Sequence, residues 1–312
     1  IVGIIVVGLL FLIKYAPRTE QIQKITPIKT TYLNISTRQF NINNLKIEDK
    51  DQGKLPIYSK TDSSNFVEKM SDFATILKIQ GQEVDIEESI FGQGKRIISK
   101  DGSVLQLYKD YFSLSKSGKK GLEVFLPDED LFIKSKQFFE DLSLSVPEKF
   151  EKYYSHIQGE FIYEDKTISG ANFVSLKFSP VIEDTTVYSP NKKTSVTFNK
   201  NGDIISANYL SQNFTRTSAP IPLISAKVAL RKMTLSMQPV KIYGEAELFV
   251  KTKQALTNVS LTRGYLAYFL PDKDSDNLKP VWIFEGESDI NSKKLFLEYA
   301  IDAVEQKYLI QN

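Results

Sequence analysis

Cysteine is absent from this sequence, and histidine occurs once, as His156. No disulfide can brace the fold, no thiolate can hold zinc, and no cysteine nucleophile is on hand. A single imidazole also falls short of the ligand sets that zinc hydrolases use, which sets metalloprotease chemistry aside. No Gly-x-Ser-x-Gly elbow is present, so His156, in Tyr153-Tyr-Ser-His-Ile-Gln, reads as an exposed or capping residue rather than a triad member. Glycine-rich turns between strand and helix are missing too, which argues against a parallel nucleotide-binding sheet. Neither sign of charge prevails, with 40 Lys plus Arg against 38 Asp plus Glu. No broad field would therefore gather nucleic acid. Short basic runs such as Lys119-Lys120 and Arg231-Lys232 read as solvated surface.

Apolar material is plentiful: 41% of the 312 residues are hydrophobic, enough for two or three domains with real cores. The first thirteen residues, Ile1 to Ile13, are Ile, Val, Leu, Phe and two Gly, and Lys14 ends the run. A core helix would show a polar stripe, and this one has none. At 1.5 Å per residue it covers about 20 Å, short of the roughly 30 Å hydrocarbon layer. Since the sequence starts without Met, the expectation is a membrane anchor whose beginning precedes it. A cleaved signal peptide is the alternative, but Lys14 occupies a position where cleavage calls for a small residue, and a lipoprotein would need a cysteine. A long body behind an N-terminal anchor is expected outside the cytoplasm, in a single-pass cell-membrane protein.

Residues 15–54 are polar, with only a short strand expected around Tyr32 to Ile42, and read as a stalk or linker. Three helical segments follow. In the first, Phe66, Met70, Phe73 and Leu77 share one stripe, with caps at Asp62 to Asn65 and a stop at Gly81. The second starts at Asp128 and aligns Leu131, Ser135, Phe138 and Leu142, with Phe132 and Phe139 beside them; Pro147 closes it. The third starts at Ser225 and aligns Ala226, Ala229, Leu230 and Met233 before Pro239. Between the helices the period becomes two. Ile97 to Tyr108 turns at Asp101-Gly102, and Ser195 to Tyr209 turns at Asn201-Gly202, both strong hairpin signals. A further pairing is expected between Ser260 to Leu270 and Pro280 to Glu287, with a last strand from Leu295. This order predicts an α+β fold: repeated helix plus antiparallel β-meander layers behind the transmembrane helix. The expected domains are an anchor at 1–14, a stalk at 15–54, and helix-meander modules at 55–125, 126–218 and 219–312.

The segment Pro222-Leu-Ile-Ser-Ala-Lys-Val-Ala-Leu-Arg-Lys-Met233 resembles the helix opening of PepSY domains, where a capping Ser precedes an Ala-x-x-Ala-Leu face. Lys279-Pro-Val-Trp-Ile-Phe284 and Leu297-Glu-Tyr-Ala-Ile-Asp-Ala303 are similar to later strands of such units, although Val304-Glu305 replaces the usual Thr-Gly. Val174 to Tyr209 is similar to the YycH and YycI regulators, which are membrane-anchored proteins of PepSY-like modules. The resemblance implies an extracytoplasmic, noncatalytic regulator or inhibitor of an envelope partner such as a sensor kinase or peptidase. It transfers no catalytic residue.

The remaining candidates are few. Ser117 with Lys120 and Ser189 with Lys192 have Ser-x-x-Lys spacing but fall in expected turns, where chance explains them. Asp272-Lys-Asp-Ser-Asp276-Asn277 starts like a calcium loop but lacks the sixth-position Gly and twelfth-position Glu, so a solvated hairpin loop is expected. Trp282, the sole tryptophan, reads first as core; the alternative is a partner-binding aromatic, a role it would share with Phe284 and Tyr268. Glu285 and Glu287 share a strand face, as glycosidase acids can, and ordinary solvent-facing alternation explains them. No cofactor or metal is expected, and no nucleic acid; the expected partners are membrane lipid at residues 1–13 and another cell-envelope protein. A cell-wall hydrolase using paired carboxylates and a passive surface component are the alternative readings.

Overall fold

The computed structural model describes residues 35–48, 53–61, 65–87, 89, 91–116, 125–155, 171–211, 213–233, 237–244, 255–271 and 277–308. Among the described residues the chain is mostly β, with large sheets and three short α-helices. This corrects the expected α+β arrangement of separate helix-meander layers. A meander standing alone would leave unpaired strand edges. Here those edges pair with one another, and the meanders fuse into continuous sheets.

The first sheet has eight strands: β1 (Gly81–Ile86), β2 (Gly94–Ser99), β3 (Val104–Tyr108), β4 (Tyr111–Ser115), β5 (Phe150–Ser155), β6 (Phe173–Phe178), β7 (Thr194–Asn199) and β8 (Ile204–Leu210). Their order is β5-β6-β7-β8-β4-β3-β2-β1, antiparallel throughout. At its centre Ala207 of β8 lies opposite Leu114 of β4, so the boundary expected at 125/126 runs through the middle of one sheet. The two expected hairpins form, with Gly102 at φ +85° and Gly202 at φ +73°. Asn199 fixes the second turn, its Oδ1 accepting from the backbone N–H groups of Asn201 and Asp203 at 2.9 Å each.

Two helices cover one face of this sheet. The first, α1, is a 3-10 turn at Phe66–Lys69 running into Met70–Ile76, and α2 is Asp128–Asp141. Phe66, Met70 and Phe73 of α1 and Leu131 and Phe139 of α2 bury against Leu105, Leu107, Phe112, Leu114, Val196 and Phe198. Gly81 does not stop α1 as expected. The helix ends at Ile76, Lys78 takes φ +55°, and Gly81 opens β1, where a Cβ would lie 2.1 Å from the Ile98 carbonyl oxygen. The third helix, α3 (Ala226–Lys232), starts as expected at Ser225, whose hydroxyl accepts from the Val228 N–H at 3.4 Å.

The second sheet is built on a long meander: β9 (Val259–Phe269), β10 (Asn277–Ile290) and β11 (Lys293–Asp302). Lys241–Tyr243 pairs with β11, and Thr185–Tyr188 pairs in parallel with β9. Phe40–Asn41 and Lys46–Glu48 also pair with β9, so part of the expected stalk belongs to the folded body. Leu278, Trp282 and Phe284 of β10 face one core with Tyr268, Leu297 and Tyr299, and Tyr108, Tyr111 and Leu210 of the first sheet join them there. Val281 and Ile283 face the other side, with Ala267, Phe269 and Ala300. Among the described residues no helix is long and apolar enough to cross a membrane; residues 1–34, with the expected anchor, lie outside them.

Phe112 is fully buried, with the rings of Phe66, Phe73, Phe139 and Tyr209 centred 5.5 to 6.3 Å away. Phe112→Ala is expected to cost about 3–5 kcal/mol in urea unfolding. Ile98→Ala, at a position 46% exposed, is expected to stay within about 0.5 kcal/mol.

Candidate functional site

After β6 the chain leaves the first sheet, adds Thr185–Tyr188 to the edge of the second, and returns to the first as β7. This excursion, residues 179–193, closes one end of a cleft of about 890 Å³ between the two sheets. The cleft is unusually ionic. Seven basic and five acidic residues line it, together with Tyr153, Tyr188 and Tyr265.

One wall is a row of charges set by strand register. Lys241 lies opposite Glu298, Glu298 opposite Glu285, and Glu285 opposite Arg263, so four neighbouring strands present the sequence plus, minus, minus, plus. Like charges directly opposite one another on a sheet are unfavourable, and each acid here is met by flanking groups. Glu298, 5% exposed, accepts a hydrogen bond from the Tyr188 hydroxyl and lies 3.6 Å from Lys241 Nζ. Glu285 lies 3.7 Å from Arg263, which also holds Glu48 at 2.7 Å. Burial, and then the Glu298 carboxylate, still push the Glu285 carboxyl above the ordinary glutamate range. Burial likewise pushes the Tyr265 phenol well above its ordinary value, with Glu285 and Glu298 adding to it.

The opposite wall comes from β5 and β6. Lys177 lies 3.3 Å from Glu151 Oε2, and the same oxygen accepts from the Tyr153 hydroxyl. Burial alone would raise the Glu151 carboxyl, but Lys177, Tyr153 and Arg263 outweigh it and hold it below the ordinary range. Lys177 also draws down the proton affinity of Glu285, so its field reaches both walls. Lys152 is held by Asp128 at 2.7 Å. At the closed end, Lys192 binds Asp110 at 3.0 and 3.3 Å, and Lys60 meets the same carboxylate. That buried Asp110 joins a turn of the first sheet to a strand paired with the second. Next to Lys192 in the chain, half-buried Lys193 has its ammonium pushed well below the ordinary lysine range, by burial first and then by Lys241 and Lys177.

The aromatic candidates lie elsewhere. Trp282, Phe284 and Tyr268 are 3%, 0% and 0% exposed, and all three belong to the main core rather than to a displayed surface. The Trp282 indole N–H donates to the Ile224 carbonyl at 2.9 Å, which fixes α3 to β10. Glu285 and Glu287 do share a face, but Glu287 turns to Lys294 at 3.2 Å and does not line the cleft. Ser189 and Lys192 both line it, with the Lys192 ammonium on Asp110. His156, Ser117, Lys120 and residues 272–276 of the acidic run lie outside the described residues. Among the described residues no group of three or more acids or histidines is placed to hold a metal. Sequence reading passed over Glu298, Lys193, Lys241 and Arg263. The signal available was their strand alternation; what brings them together is the pairing of distant strands.

No protein-family model matches the chain, and no curated protein matches it. Its fold resembles the crystal structure of an uncharacterized protein from Eubacterium rectale ATCC 33656, at 13% identity and a TM-score of 0.50, over 93% of this chain and 94% of that one. At that identity the likeness is one of fold.

The raised Glu285 carboxyl has a measurable consequence. Folded, it holds its proton to higher pH than the ordinary value near 4.5. Above that ordinary value, stability therefore falls as pH rises through the folded titration. Glu285→Gln is expected to raise the thermal midpoint at pH 7, with the gain vanishing once pH drops below the ordinary carboxylate range. Melts from about pH 4 to 8 check this, and a lower midpoint at pH 7 would mean that the Arg263 pairing dominates.

Proposed function

We propose that this chain is a membrane-anchored, extracytoplasmic, noncatalytic binding or regulatory protein of the cell envelope, which receives a segment of another envelope protein in the cleft between its sheets. The cleft carries the reading. It offers a large, charge-lined, preorganised space of the size ligand sites occupy. Its acids are engaged by Tyr188, Lys241, Arg263 and Lys177 rather than aimed at a reacting atom. The apolar run Ile1 to Ile13 supports an anchor, and the PepSY-like and YycI-like segments support a regulatory role toward a sensor kinase or peptidase.

A second reading, hydrolysis of cell-wall glycan or peptide, draws on the Glu285–Glu298 pair and the raised Glu285 carboxyl. Glycosidase acids flank the scissile bond at roughly 5–10 Å separation. Glu285 and Glu298 instead stand side by side on adjacent strands of one wall. That geometry suits binding better than acid-base attack from two sides.

Photocrosslinking in membranes tests the proposal. A benzophenone side chain at Val181 or Lys149, both lining the cleft, is expected to give one discrete protein adduct, and the same group at exposed Ile133 on α2 is expected to give none. Adducts from Ile133 alone, or none from either cleft position, would end the reading. Release of sugar or peptide from purified cell wall, lost in Glu285→Gln, would favour the hydrolase.

A further inference from the structure

Buried Asp110 stands where the two sheets meet. It lies in the turn between β3 and β4, and its backbone carbonyl accepts from the Ser211 N–H at 2.9 Å, which fixes that turn. Lys60 reaches it from Tyr58–Lys60, the strand that pairs with β10 of the second sheet, and Lys192 reaches it from the 179–193 excursion. Lys60 Nζ is in direct contact with Asp110 Oδ2, while Lys192 Nζ donates to Oδ2 at 3.0 Å and to Oδ1 at 3.3 Å. The side chains of Lys60, Asp110 and Lys192 are 11%, 12% and 6% exposed. Tyr58, Tyr108, Tyr111 and Leu210, which flank them in sequence or register, belong to the main core. An amine and a carboxyl group from different sheets are thus held together away from bulk water, with a second cation on the carboxyl.

We propose that Lys60 and Asp110 condense into an intramolecular amide, a covalent tie between the two sheets. The Lys60 ammonium passes one proton to Oδ2, and the freed Nζ lone pair forms a bond to Cγ. The Cγ–Oδ2 bond then breaks, Oδ2 takes a second proton from Nζ and leaves as water, and Oδ1 remains as the amide carbonyl. Ammonium and carboxylate become amide and water, so no other reactant is required. The Lys192 ammonium meets the negative charge that gathers on Oδ1 while Cγ is tetrahedral. Free in water the two ions are too well hydrated to condense. Burial removes that hydration, a neutral amide escapes the cost of keeping two desolvated ions, and the fold holds Nζ against the carboxyl group. Lys192 lines the cleft, which gives the released water a way out. The bond closes a loop over residues 60–110 that holds α1 and β1 to β3, a constraint that this cysteine-free chain has no disulfide to supply. It acts whatever the cleft receives.

Mass spectrometry of the full chain, purified in detergent and then denatured, tests the bond. The chain is expected to be one water lighter than its sequence, and its proteolytic digest to contain a branched peptide joining the Lys60 segment to the Asp110 segment. A chain of full sequence mass, with those two segments recovered as separate peptides, overturns the proposal. So does a missing water that lies within a linear Asp110 peptide and returns in mild base, the mark of a cyclic imide formed with the Tyr111 N–H. A branch from Lys192 in place of Lys60 also overturns it. Lys60→Arg keeps a cation beside Asp110 but cannot form this amide, so it is expected to restore the full mass; a variant that stays one water light counts against the assignment. Lys192→Met is expected to lower the fraction of the light form, and an unchanged fraction removes the part given to Lys192. The wild-type mass and branched peptide decide the matter by themselves, so a variant that fails to fold does not leave the bond untested.

Discussion

A β-strand shows alternate residues to opposite faces, and β10 is the strand on which this protein must bury both. Its even residues Leu278, Trp282 and Phe284 and its odd residues Val281 and Ile283 serve separate cores. A strand buried on both sides cannot lie at the surface of a single layer, so something must cover each face. On one side α3 and the ends of the first sheet do this, with Trp282 bonded to Ile224 and Leu210 packed into the same core. On the other, the 179–193 excursion lays Tyr188 over Phe269, ring centroids 6.0 Å apart. The attachment of the first sheet to the second follows from this demand.

The cleft begins where that demand lapses. Along the odd face of β10 the residues change from Val281 and Ile283 to Glu285, Glu287 and Asp289, and exposure rises in the same direction. Opposite them the partner strand carries Ala300, Glu298, Phe296 and Lys294 in turn. Cover therefore ends at Glu285, and the two sheets diverge over a polar surface. Arg263 and Lys241 bracket the acids because antiparallel register places them there, so the order of charges is a property of backbone pairing and not of flexible side chains.

Short-range features were legible in the sequence because their causes are short-range. Asp101-Gly102 and Asn201-Gly202 select positive φ within two residues, Ser225 caps a turn three residues away, and the stripe Phe66, Met70, Phe73 is a local period. The fold class was not legible, because whether meanders stay separate depends on edges that meet across long stretches of chain: β4 finds β8 about ninety positions later, and Lys46–Glu48 finds β9 more than two hundred later. Gly81 misled for the same reason; it reads as a helix stop, but its role is to let Ile98 approach. Glu285 and Glu287 looked equivalent within their strand. Only pairing with β11 makes them different, setting Glu298 opposite the first and Phe296 opposite the second, with Lys294 3.2 Å from the Glu287 carboxylate.

The row of charges carries an energetic cost. Burial first, and then the opposed Glu298, raise the Glu285 carboxyl, so a charged Glu285 costs the fold stability. A structural sheet would gain by replacing one acid with an apolar residue, as the same face does at Val281 and Ile283. Keeping both acids, with Arg263, Lys241 and Tyr188 committed to them, fixes several charges in a partly desolvated space before any ligand arrives. Such fixed charges require no reorganisation on binding and discriminate strongly against an occupant of the wrong sign. Backbone register thus holds a row of ions in place at positions where apolar side chains would hold the sheet more firmly.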